Sequence, residues 1–372
     1  MSFMHHIVFS KIAFVKNIPL SIFLFLTALC FQLPQTQAQP GGNRTFAFLN
    51  LPPSPRLAGL GGNFASIADN DLILGLNNPS LINEQMHNGI SLNFVDYFAD
   101  VNYGVAAYSR TFEKAGSFVA SMQYINYGTF IYTDETGLLL ENQSEFSGGD
   151  YAFVIGWGRR LDSLFSIGAN LKTIYSSLET YNSMALGVDV SGTYHARSGF
   201  TASLIARNIG RQLTTYTGSD VEPLPFEIQA AFSKRLNHMP FRYSILLTNL
   251  QQWDLTYDDP QEDVYDPFTG EKKEKSSIGD FADKAFRHIV IGGEFLPTKN
   301  FSIQLGYNYQ RRHEMKVETR KGTVGLSWGF GFKISKFSFN YARSAYHLTG
   351  SPNFLSIAVN LSDFVKPDKV EQ

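Results

Sequence analysis

Few residues in this chain have the type and spacing to do chemistry. Asp69-Asn70-Asp71 sets two carboxylates two positions apart. Such a pair ligands a hard cation when a turn glycine and a closing glutamate follow at loop spacing, and here neither does. Aspartates at this spacing also cap helices and close turns, which is the preferred reading. His195, His238, His288, His313 and His347 are scattered, and none pairs at metal-ligand spacing. No metal site is expected. The signatures of acyl transfer, zinc hydrolysis and phosphate binding are missing: no Ser-x-x-Lys pair, G-x-S-x-G elbow, H-E-x-x-H helix or P-loop. Gly59-Leu60-Gly61 lacks a third glycine, and no strand leads into it. With no catalytic residue and no cofactor assigned, the chain reads as a non-enzyme.

A second group of residues suits binding. Asp258-Asp259-Pro260-Gln261-Glu262-Asp263 and Glu271-Lys272-Lys273-Glu274-Lys275 form a charged, solvated stretch. It carries Trp253, Tyr257, Tyr265 and Phe268, and large aromatics are enriched at protein interfaces. These four are the candidate partner-binding residues. A net charge of -2 gives no sign of nucleic-acid binding.

The elements that position these residues are strands. Phe301 to Gln310 alternates apolar or aromatic residues with small or polar ones at every step. In an extended chain that separates one greasy face from one wet face, and the length suits a tilted strand crossing a bilayer. About fourteen such segments recur between Gly89 and Leu361. Every second connection is short, as at Thr111–Ala115, Leu161–Ser163, Arg197–Gly199, Leu236–Pro240, Pro297–Asn300 and Ile334–Lys336. The connections between them include the long Tyr127–Gly149, Ile209–Pro225, Gln251–Ala285 and Arg311–Lys321. A soluble sandwich has no reason to sort loop length by parity, whereas outer-membrane barrels keep tight turns on the periplasmic rim. The expected fold is therefore an all-β, transmembrane antiparallel barrel of about fourteen strands with an irregular N-terminal plug. Inward positions look small and polar.

Four regions follow. Residues 1–38 read as a signal peptide: Lys11 and Lys16 precede an apolar run from Ile18 to Phe31, and Thr36-Gln37-Ala38 resembles a cleavage site. The single cysteine, Cys30, falls inside it, so the exported chain is expected to have no disulfide. Residues 39–88 are the plug, with a short helix expected around Phe64 to Ala68. Residues 89–362 are the barrel, and 363–372 a polar tail.

The segment ending in Asn77-Asn78-Pro79-Ser80-Leu81-Ile82, preceded by Ala65-Ser66-Ile67-Ala68-Asp69, resembles the plug of the FadL-type outer-membrane barrels. It is more closely similar to the PorQ-like barrels of the type IX secretion system. That likeness is carried by Gly41–Leu51, Pro55-Arg56-Leu57-Ala58, Gly61-Gly62-Asn63 and Asp69-Asn70-Asp71. The polar tail after Phe364 departs from barrels that end on an aromatic residue. The resemblance implies residence in the outer membrane and a plug motif at Asp69, Asp71, Asn77, Asn78, Pro79 and Ser80. It also implies a role in secretion and surface attachment, with the barrel anchoring a soluble PorZ-like surface protein alongside other type IX components. The alternative it implies is a FadL-type transporter of hydrophobic small molecules, admitted through a side opening gated by the plug.

Overall fold

The computed structural model describes residues 45–134, 136, 138, 145–218, 221–256, 277–316, 322–347 and 350–364. The expected signal peptide, most of the polar tail, and Tyr257, Tyr265 and Phe268 lie outside them.

Period-two alternation becomes fourteen strands. They are β1 (Gly89–Asp96), β2 (Asn102–Phe112), β3 (Gly116–Ile131), β4 (Glu145–Arg160), β5 (Phe165–Leu178), β6 (Tyr181–His195) and β7 (Phe200–Thr214). β8 (Glu227–Arg235), β9 (Phe241–Leu247), β10 (Ile289–Thr298), β11 (Phe301–Asn308), β12 (Leu326–Ile334), β13 (Phe337–Ser344) and β14 (Asn353–Asn360) complete the set. Each pairs antiparallel with its neighbours in sequence. β14 returns to β1 in a register running from Gly89 opposite Asn360 to Asp96 opposite Asn353, which closes the barrel. Closure leaves no strand edge unpaired, as a hydrocarbon surrounding demands. No described helix is long and apolar enough to cross a membrane.

The faces sort as the alternation requires. On β5, Ser166, Asn170, Lys172, Ile174 and Ser176 are buried inside while Phe165, Ile167, Leu171 and Tyr175 are exposed outside. Loop parity also holds. Two short connections, 97–101 and 179–180, nevertheless fall on the long-loop rim.

Strand length is where the expectation needs correcting. Tyr127–Gly149 reads as a loop, yet β3 and β4 continue through it, pairing Thr129 with Ser147 and Phe130 with Phe146. A register shift between Asn126 and Thr129, at Gly128 with φ of 85°, resets the alternation. Such a bulge breaks a period-two pattern and hides the strand beyond it. β3 to β7 therefore run 14 to 16 residues, and β8 to β14 only 7 to 10.

Residues 45–88 pack against the inner faces of the strands. Helix α1 (Pro55–Gly59) starts where Ser54 caps it and Pro55 sets its first turn, and α2 (Leu72–Asn77) starts where Asp71 caps it. The helix expected at Phe64 to Ala68 is absent. That stretch is irregular chain, the carbonyls of Phe64, Ala65 and Ser66 accepting from side chains rather than from a helical ladder. Two further helices, α3 (Ser277–Arg287) and α4 (Tyr309–Met315), sit on the long-loop rim.

Candidate functional site

The N-terminal segment is tied to the barrel wall by side-chain hydrogen bonds and ion pairs. Its backbone cannot join the barrel's ladder, so its carbonyls need other donors. Asn77 Nδ2 donates to the Asn63 and Phe64 carbonyls at 3.2 and 3.0 Å. Asn78 Nδ2 donates to the Ala65 carbonyl and to Thr193 Oγ1 on β6. Asn78 Oδ1 accepts from the Ser80 backbone N–H at 3.1 Å and from its hydroxyl at 2.8 Å. From the wall, Ser233 Oγ donates to the Ser66 carbonyl (2.7 Å) and Ser344 Oγ to the Ala58 carbonyl (2.9 Å). Arg207 Nη2 donates to the Asn77 carbonyl at 3.0 Å. The motif residues Asn77, Asn78 and Ser80 thus come together as a clamp between segment and wall.

Pro79 shows how close the fit is. Its carbonyl lies over Gly168 of β5, where an added Cβ would overlap the Pro79 carbonyl carbon itself. Gly306 of β11 meets the Leu60 backbone in the same way. These two wall positions accept only a residue without a side chain.

Asp69 and Asp71 do their expected turn and cap work. Asp69 Oδ1 accepts from the Asp71 N–H, and Asp71 Oδ1 from the Ile73 N–H, both at 3.1 Å. They also do more. Arg56 of α1 reaches Asp69 at 2.7 Å, Asp71 at 3.2 Å and Glu294 of β10 at 2.8 Å. Arg242 of β9 bridges Asp69 at 3.3 Å and Glu294 at 2.8 Å. Glu294 is wholly buried, and these two guanidiniums are its ion-pair partners. Three carboxylates share two cations, and the two aspartates respond in opposite directions. Burial alone would raise the Asp69 carboxyl, but Arg56 and Arg242 hold it down at about 2. Burial raises Asp71, and the attraction of Arg56 does not fully offset it while Asp69 adds like charge.

The sequence reading did not find Arg56, Arg242 or Glu294 as a group. Glu294 did carry a signal, being a lone carboxylate inside the apolar and glycine run from Ile289 to Leu296.

The cluster forms one wall of a cavity of about 580 Å3 that opens at the short-turn rim. Ser91, Asn93, Ser302 and Asn340 line it, with Lys299 and Lys333 at its mouth. Here inward positions are small and polar, as expected. Elsewhere that expectation fails. Val95, Tyr103, Val105, Val119, Ile125, Val154, Ile174 and Phe354 face inward, mostly in the long-loop half, and bury against Phe46, Phe48, Leu72 and Leu76 of the segment. Ile205, Leu246 and Val290 pack likewise around Leu57, Leu60 and Phe64.

Of the candidate partner-binding residues, Trp253 is exposed on the long-loop rim. Its ring lies against Phe281 at 5.3 Å and His288 at 5.7 Å. Among the described residues no three His, Cys, Asp or Glu side chains are placed to hold a metal ion.

No protein-family model and no curated protein sequence matches the chain. Solved structures do. The toluene transporter TbuX of Ralstonia pickettii aligns with a TM-score of 0.50 at 9% identity, covering 84% of this chain and 98% of its own. The toluene transporter TodX of Pseudomonas putida aligns with a TM-score of 0.48 at 11% identity, covering 83% and 97%. At these identities the likeness is one of fold: this chain shares the closed fourteen-strand barrel architecture of an outer-membrane protein such as TbuX.

Proposed function

We propose that this chain is an outer-membrane barrel that passes small hydrophobic molecules, its lumen gated by its own N-terminal segment. The observation that carries this reading is the apolar inward band from Val95 and Tyr103 round to Ile174 and Phe354. A wall built only to enclose water has no use for those residues, and an apolar lining is what a hydrophobic solute needs. The segment covers the band in this structure, so passage requires the segment to shift. The likeness of fold to TbuX, a toluene transporter, supports the same reading.

A second reading keeps the barrel shut and makes it an anchor for a soluble surface protein of the type IX machinery. It is favoured by the motif resemblance in residues 41–82 and by exposed Trp253. Affinity capture of the tagged protein from detergent-solubilised outer membranes, with bound molecules identified by mass spectrometry, separates the two. A barrel recovered alone with an apolar small molecule supports the conduit. Recovery of a soluble surface protein with other secretion components, and no apolar ligand, replaces it with the anchor.

A further inference from the structure

Helix α3 is inverted relative to the helices of a water-soluble surface. Asp283, Lys284 and Arg287 turn toward the protein. Asp283 accepts from the Tyr309 hydroxyl and from Arg287 Nε, both at 2.9 Å, and Lys284 Nζ reaches Asp254 at 2.9 Å. Ile278, Phe281 and Phe286 point away, at 81%, 61% and 52% exposure. A helix in contact with water on its free side would present the opposite faces.

The helix follows β9, the shortest strand of the barrel, and leads into β10. β9 has seven residues and β11 eight. Tilted near 40°, they rise about 18–21 Å, against an apolar band of about 25 Å in outer-membrane barrels. A helix lying on the rim is about 10 Å across with its side chains and makes up the difference. It also continues the outward face below it. Phe286 packs on Tyr309 at 5.7 Å, at the end of β11 that carries exposed Leu305 and half-buried Tyr307, the latter paired with exposed Ile291 on β10.

We infer that α3 is a lipid-contacting element: its Ile278–Phe281–Phe286 face completes the barrel's apolar belt above β9 to β11 and is covered by acyl chains of the outer leaflet. This rests on the reading that the barrel spans a membrane, and the test separates the two. The full chain with Cys30→Ser carries a nitroxide at Ile278→Cys, Phe281→Cys or, as strand control, Leu305→Cys. Each variant is reconstituted alone in phospholipid vesicles, with folding checked by heat-shifted gel mobility. Collision with oxygen is compared with collision with a water-soluble nickel chelate.

Labels at 278 and 281 are expected to favour oxygen over nickel, as at 305. Nickel-accessible labels at 278 and 281 beside a lipid-like 305 overturn the inference and leave the face free for a soluble protein. A nickel-accessible 305 removes the membrane-spanning reading itself.

Discussion

At the scale of single residues, Arg56 and Glu294 hold the N-terminal segment to the wall across 238 positions of sequence. Removing one member of a buried charge pair leaves the other uncompensated, at a cost of about 3–5 kcal/mol. Arg56→Ala leaves three carboxylates facing Arg242 alone. The expected result is a lower unfolding temperature and faster proteolysis within residues 45–88, read by gel and mass spectrometry. Asp69 adds a pH dependence. Its folded pKa of about 2 lies below the ordinary 3.8, so its contribution is full above about 3.8 and is lost as pH falls toward 2. Asp71 is raised, so it takes up its proton first as the solution is acidified. That relieves the excess of one negative charge without breaking the Arg56–Glu294 contact. Protection of the segment against pepsin is therefore expected to hold at pH about 4 and to fall between about 4 and 2. Asp69→Asn should remove the acid step, and an unchanged step would mean that other groups hold the segment. Half of this site was legible in the sequence: the aspartates as caps. Their ion-pair partners were not, because Arg56 and Glu294 look like isolated charges until the barrel closes.

At the scale of elements, the strands were legible because apolar residues recur at every second position on the outward face, against small and polar groups over part of the inner one. All fourteen came through, but the reach of β3, β4 and β7 did not, since register shifts near Gly128 and Val188 interrupt the pattern. The helices were misplaced for a related reason. Phe64 to Ala68 has a helix-like composition, but its carbonyls are taken by Asn77, Asn78 and Ser233, and helices form instead where Ser54 and Asp71 supply caps. The fit of segment to strand makes a sharp prediction. Gly168→Ala and Gly306→Ala each place a methyl group in the segment's backbone, so the segment must shift, at a cost of about 1–3 kcal/mol. Gly293→Ala points outward, where the nearest atoms are the Phe241 ring carbons at 3.4 Å, and should be close to neutral. Heat-shifted mobility and protease exposure of residues 45–88 should change for the first two and not for the third. Equal behaviour of all three would show that the segment is not seated against β5 and β11.

At the scale of the whole molecule, the lumen holds two kinds of wall. A polar one surrounds the 580 Å3 cavity at the short-turn rim, and an apolar one lies under the segment. Loop parity revealed the closed barrel. It could not reveal the apolar wall, because a buried valine facing a segment looks the same in sequence as one facing lipid. The apolar wall also sets the consequence of removing the segment. Deleting residues 45–86 bares Val95, Tyr103, Val105, Val154 and Phe354 to water, and each large apolar side chain so exposed costs about 1.5–3 kcal/mol. The deleted barrel is expected to lose its heat-shifted mobility at a lower temperature than the intact one. In planar bilayers it should also conduct ions where the intact chain is silent. Glu294→Ala, which frees the segment without deleting it, should flicker between the two states. A hydrophobic solute has a path only in the open state, so on the conduit reading the same variants take up a hydrophobic dye faster. An anchor depends on its rim and not on its lumen. Conductance without faster dye entry, together with full retention of a captured surface protein, would therefore assign the barrel to anchoring.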